Sequence, residues 1–185
     1  TIVPDNAEIE IDQESLNQTY DASPKSISLS ILPEDVEYTV TYNGNADPPI
    51  NAGSYNVEVI VTDANYVGAA SATLVIMSAP AEVLFDVSTL EQVYDASPKS
   101  VLVSTLPEGV EVDITYDGSA TLPVNAGSYA VEATVTNPNY YGSAIASLVI
   151  NPALAEILFD ATSLEQVYDG SPKSVTASTL PGGVE

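Results

Sequence analysis

The chain has 185 residues, with three Lys, no Arg or His and 26 acidic residues, giving a net charge of −23. A field of that sign repels nucleic acid and anionic membranes, so neither is expected as a partner. No cysteine offers a disulfide or a thiolate ligand, and no apolar run nears the roughly 20 residues that cross a bilayer, so no direct membrane insertion is expected.

Read along the chain, the residues repeat. Tyr20 opens YDASPKS, Tyr94 opens it again and Tyr168 opens YDGSPKS, 74 residues apart each time. Residues 7–80 align with 81–154 without a gap, 41 of 74 positions being identical, and 155–185 match 23 of 31. A fixed period of this length governs the architecture before any single element does. The expected units are 1–6, the tail of a preceding repeat; 7–80, repeat 1; 81–154, repeat 2; and 155–185, the first part of an incomplete repeat 3. The third unit lacks the last strands of the others, which leaves Ile157, Phe159, Leu164, Tyr168 and Val175 as an open apolar face. The cuts read as an excerpt of a longer array, or as a subunit completed by strands of a neighbouring chain.

Within the second repeat the apolar pattern predicts strands at 82–86, near 91–94, and at 99–106, 110–116, 129–136 and 144–150. The alternation is period two: Tyr129, Val131, Ala133 and Val135 share one face, as do Tyr55, Val57, Val59 and Val61 in the first repeat. Asn43-Gly44 and Asp117-Gly118 are hairpin dipeptides, and Pro33, Pro107 and Pro181 end the strands before them. No segment carries an amphipathic helical pattern. Six or seven short strands per repeat predict an all-β fold, a tandem array of small antiparallel immunoglobulin-like β-sandwiches with a 74-residue repeat.

Asn51-Ala52-Gly53-Ser54-Tyr55 and Asn125-Ala126-Gly127-Ser128-Tyr129 read as tyrosine corners, in which a mostly buried Tyr returns its hydroxyl to the backbone just upstream. Gly53 and Gly127 are expected to supply positive φ, and Asn51 and Asn125 to bond their own backbone.

The ordered motifs YD[AG]SPK, TY[ND]G, NAGSY, NY[VY]G and SLVI together resemble the YDG/MBG class of bacterial immunoglobulin-like surface repeats, over both complete repeats. The resemblance implies a tandem array of a large secreted adhesin, extracellular and on the cell surface, and it carries no catalytic residue.

Candidate sites are few. Without His, Cys or Arg, acid–base chemistry falls to carboxylates, three Lys and Tyr, and the acids mostly take outward strand positions; the chain is read as no enzyme, with no cofactor. Calcium is the weak alternative, at Asp63 and Asn65 in a loop and at Asp86 and Asp160 after the first strand of a repeat. That ion asks for six to eight converging oxygens, and Asn137 stands where Asp63 does one repeat earlier; turn formation by Asx residues is the competing reading. Lys25, Lys99 and Lys173 are the only cations. They read as exposed lysines ion-paired to Asp21, Asp95 and Asp169, with an isopeptide cross-link as the alternative. Tyr66, Tyr140 and Tyr141, beside Gly68 and Gly142, form a possible patch for a host or environmental glycan or protein ligand.

The junctions IMSAPA (76–81) and INPALA (150–155) are short, and Pro80 and Pro152 restrict them. The functional expectation is therefore a non-catalytic stalk or fibre, a semi-rigid acidic spacer whose partners are neighbouring repeats of the same chain. A filament subunit joined to other copies by strand exchange, and an adhesive module, are the alternatives.

Overall fold

The computed structural model describes residues 3–182; residues 1–2 and 183–185, the outer ends of the first and last expected units, lie outside the described residues. In the first repeat, Gly53–Val61 and Ala69–Met77 pair antiparallel with Tyr55 opposite Leu74. Tyr38–Tyr42 joins one side antiparallel and Asn17–Thr19 the other in parallel, making a four-stranded sheet. Glu8–Ile11 and Leu29–Leu32 form a two-stranded sheet across the core from it. The second repeat copies this plan. Glu91–Val93, Ser143–Asn151, Gly127–Val135 and Val112–Tyr116 make its four-stranded sheet, and Glu82–Phe85 pairs with Val103–Leu106.

Period-two alternation sends one set of side chains into each core. Val57, Val59 and Leu74, and likewise Val131 and Leu148, are wholly inaccessible, each contributing about 1.5–3 kcal/mol through burial. Ile114 is only half-buried, because its strand lies at the sheet edge. Within the four-stranded sheets the pairing is antiparallel apart from the short parallel strand at one edge of each.

The strand expected over 99–106 is only Val103–Leu106. Its partner ends at Phe85, where Asp86 caps a 3-10 turn over Val87–Thr89, so the preceding residues have no strand to pair with. They are held instead by single bonds, Lys99 N–H to Pro123 O at 2.8 Å and Val101 N–H to the Tyr116 hydroxyl at 3.1 Å. Both hairpin dipeptides take left-handed conformations, with φ 49° and 82° at Asn43-Gly44 and 47° and 78° at Asp117-Gly118.

Two further short strands lie at the repeat boundaries. Ala79–Pro80, on the first repeat's side of the expected boundary, pairs in parallel with Tyr140–Tyr141 of the second, just as Asp5–Asn6 pairs with Tyr66–Val67. In the third unit Glu156–Phe159 pairs with Ala177–Leu180 in the register of Glu82–Phe85 with Val103–Leu106. Its apolar face is open: Ile157 is 65% exposed where its counterpart Val83 is 7% exposed. Helices among the described residues are single turns, and none is long and apolar enough to cross a membrane.

Candidate functional site

The two tyrosine corners form. The Tyr55 hydroxyl donates to Asn51 O at 2.8 Å and the Tyr129 hydroxyl to Asn125 O at 2.9 Å. Two expectations about them need correction. Both rings are half-buried rather than mostly buried, since the corner stands at the end of the sandwich. Positive φ is found at Gly53 (155°) but not at Gly127, so the corner does not depend on it. A Cβ added at Gly127 would meet the Tyr129 ring at 3.5 Å, an ordinary contact.

The tyrosines that close the core are others. Tyr42 and Tyr116, in the TY[ND]G motif, are each 4% exposed, and their hydroxyls accept from the backbone N–H of Ile27 and Val101 at 3.1 Å. A second repeated clamp is made by Gln18, Gln92 and Gln166. Each donates its side-chain amide to two carbonyls, for Gln92 those of Thr89 and Ser100 at 2.8 Å. Sequence reasoning passed over the glutamines and met Tyr42 and Tyr116 only within a motif, although recurrence at the repeat period marked both sets.

Each lysine is ion-paired to the aspartate four residues before it, at 2.5 Å for Lys25–Asp21, 2.7 Å for Lys99–Asp95 and 2.6 Å for Lys173–Asp169. The expected exposure is wrong for two of them: the Lys25 and Lys99 side chains are 11% accessible. Their backbone N–H groups bind Pro49 O and Pro123 O, which seats the alkyl stems against the sandwich while the ammonium reaches its carboxylate. Lys173, in the unit that lacks that loop, is 36% accessible. The Lys25 ammonium, followed by Ser23, pulls the Asp21 carboxyl down to about 2; Asp95 and Asp169 are lowered too, first by Lys99 and Lys173.

The calcium candidates serve as caps and turns. Asp63 accepts from Asn65 N–H at 2.7 Å, and Asp86 and Asp160 accept from Ser88 N–H and Thr162 N–H at 2.9 Å. Hydroxyl and backbone donors of Ser88 and Thr162 also lower the carboxyls of Asp86 and Asp160. Among the described residues no three carboxylates gather as a metal site.

The expected tyrosine patch is divided. Tyr141 is 59% exposed, Tyr66 is half-buried, and Tyr140 is turned into the junction, edge-on to Tyr20 of the preceding repeat at 5.2 Å. Beside it Asn139 bridges the repeats. Its Oδ1 accepts from Ala52 N–H at 2.8 Å and its Nδ2 donates to Asn51 Oδ1 at 3.1 Å. Asn137 shapes this loop by accepting from Asn139 N–H at 2.9 Å. The backbone docks as well: Ala79 N–H binds Asn139 O at 2.9 Å and Ala81 N–H binds Tyr141 O at 2.8 Å. Gly142 permits that approach, because a Cβ there would lie 2.1 Å from Ala81 O; at Gly68 it would lie 2.9 Å from Ala7 O. The NY[VY]G motif is thus a docking loop, and the corner that bears Asn51, Ala52 and Tyr20 is its receptor.

Two like sandwiches joined loop to corner, followed by the start of a third, define a tandem array of immunoglobulin-like β domains. The chain belongs to the MBG domain family, whose pattern matches residues 7–80, 83–154 and 159–185. Among solved structures it is similar to the fibronectin(III)-like modules of Clostridium thermocellum CbhA, at 9% identity and a TM-score of 0.34, over 89% of this chain and 100% of that one. No curated protein matches the chain.

Proposed function

We propose that the chain is a non-catalytic stalk segment of a bacterial extracellular surface protein, a semi-rigid acidic spacer whose partners are neighbouring repeats. The observation that carries this reading is the junction, where a loop of one repeat is bonded by its Asn139 side chain to the corner of the repeat before it and by its backbone to the connecting strand. A link of that kind holds direction along the array, which a Pro-restricted but undocked linker does less well. The family supports a place outside the cell, since MBG repeats are typical of surface proteins. The net charge of −23 supports a spacer role, because like-charged beads repel side by side and the sheet edges carry acids such as Asp113.

Small-angle scattering from engineered arrays of two, four and six repeats tests the spacer. Nine-residue strands at ~3.3 Å are about 30 Å long, and with their turns set an advance of roughly 30–40 Å per repeat, so the maximum dimension should grow linearly by that increment. Growth as the square root of repeat number, the law of a flexible string, overturns the reading.

A further inference from the structure

One period after the occupied corner stands a second one that none of the described residues fills. Tyr94, Asn125 and Ala126 repeat Tyr20, Asn51 and Ala52, and the Tyr129 hydroxyl sets the Asn125 carbonyl as Tyr55 sets that of Asn51. Yet Tyr94 is 36% exposed, Ala126 is exposed where Ala52 is half-buried, and Leu154, in the place of Pro80, is 93% exposed. Between them, with Pro152 and Pro181, lies an apolar recess of about 310 Å³.

We propose that this corner is a binding site for the Asn-Tyr loop of a further MBG repeat, one lying next along the array. Each contact at the first junction has its half here. Ala126 N–H awaits the side-chain oxygen that Asn139 gives Ala52, and Asn125 Oδ1 awaits the amide that Asn139 gives Asn51. The Tyr94 ring stands one period after Tyr20, the T-shaped partner of Tyr140, and Ala153–Leu154 stand where Ala79–Pro80 pair with Tyr140–Tyr141. The loop residue must both accept and donate. An asparagine there does both, as Asn139 does at the first junction. The first repeat carries the other half of the same contact, with Asn65 exposed and Asp5–Asn6 already paired to Tyr66–Val67. One end presents the loop and the other the corner, a heterologous contact that extends in line.

This inference rests on the spacer reading but is tested apart from it, by amide hydrogen exchange at Ala126. Residues 112–154 are appended after Glu185 of the full chain, which completes the third repeat and supplies a copy of the loop. Ala126 should then exchange about tenfold more slowly than in the unextended chain, approaching Ala52, and Asn→Ala at the appended loop's copy of Asn139 should restore fast exchange. In the unextended chain, Asn139→Ala should speed exchange at Ala52 by a similar factor. The proposal is overturned if the third repeat's strands become protected while Ala126 does not, or if Asn139→Ala leaves Ala52 unchanged, an arm that needs no graft. Slowing at Ala126 that grows with the concentration of the unextended chain would give the corner to a second copy and also overturn it. Linear growth of array length with Ala126 unprotected would leave the spacer standing and this site refuted.

Discussion

Tyr140 of the second repeat stands edge-on to Tyr20 of the first, with ring centroids 5.2 Å apart and planes at 84°. Edge-to-face pairs contribute about 0.5–1.5 kcal/mol beyond the area they bury. A double-mutant cycle of Tyr20→Ala and Tyr140→Ala, read by urea unfolding, should give a coupling of that size. Additive losses would show that the rings are neighbours without being partners.

Gly127 and Gly142 belong to equally prominent motifs but face different constraints. Gly142→Ala places a Cβ 2.1 Å from the backbone oxygen of Ala81, so the linker strand must shift or leave. The expected loss is about 1–3 kcal/mol, with the amide of Ala81 losing protection in hydrogen exchange. Gly127→Ala meets only the Tyr129 ring at 3.5 Å and should change stability by less than about 1 kcal/mol. The reverse order would contradict the docking role of Gly142.

The hydroxyls of Tyr116 and Tyr129 should also differ. Tyr116→Phe leaves the buried N–H of Val101 without its acceptor and should cost about 1–3 kcal/mol. Tyr129→Phe removes a bond at the half-exposed corner and should cost about 0.5–1.5 kcal/mol. Chemical denaturation of the two variants ranks them, and equal or inverted losses would return the core role to the corner tyrosine.

Acid should find the ion pairs. The Asp21 carboxyl titrates at about 2 in the folded chain, below the value of about 3.9 for a free aspartate side chain. A depressed folded value means the pair's stabilisation is complete above the unfolded value and fades as pH falls from there toward 2. Asp95 moves in the same direction under Lys99. Carbon-detected titration of the Asp21 carboxyl should give a midpoint near 2, and Lys25→Met should raise it. A midpoint near 4 in the unaltered chain would deny the pair.

Much of this was legible because the chain states its plan more than once. Period-two alternation placed Val57, Val59, Val131 and Ala133 in the cores, and Asn-Gly and Asp-Gly marked the turns. What stayed hidden depended on partners distant in sequence. Tyr140 reads as a surface aromatic until Tyr20, 120 residues earlier, is placed beside it. Asn139 looks like a turn former, and one of its amide's two partners is a backbone N–H, which leaves no trace in a side-chain pattern. Lys99 was read as exposed because Ser-Pro-Lys is turn chemistry, whereas its burial comes from the Pro123 loop folding back over it. Local rules carry turns and faces, while the junction is a tertiary event.

A docked junction fixes the angle between adjacent repeats. The chain lacks cysteine, so Glu58→Cys and Glu132→Cys, both on exposed strand positions, allow one spin label in each complete repeat. Pulsed electron–electron resonance between them should give one narrow distance distribution, and Asn139→Ala should broaden it. A broad distribution in the otherwise unaltered chain would contradict the docked junction and, with it, the stalk.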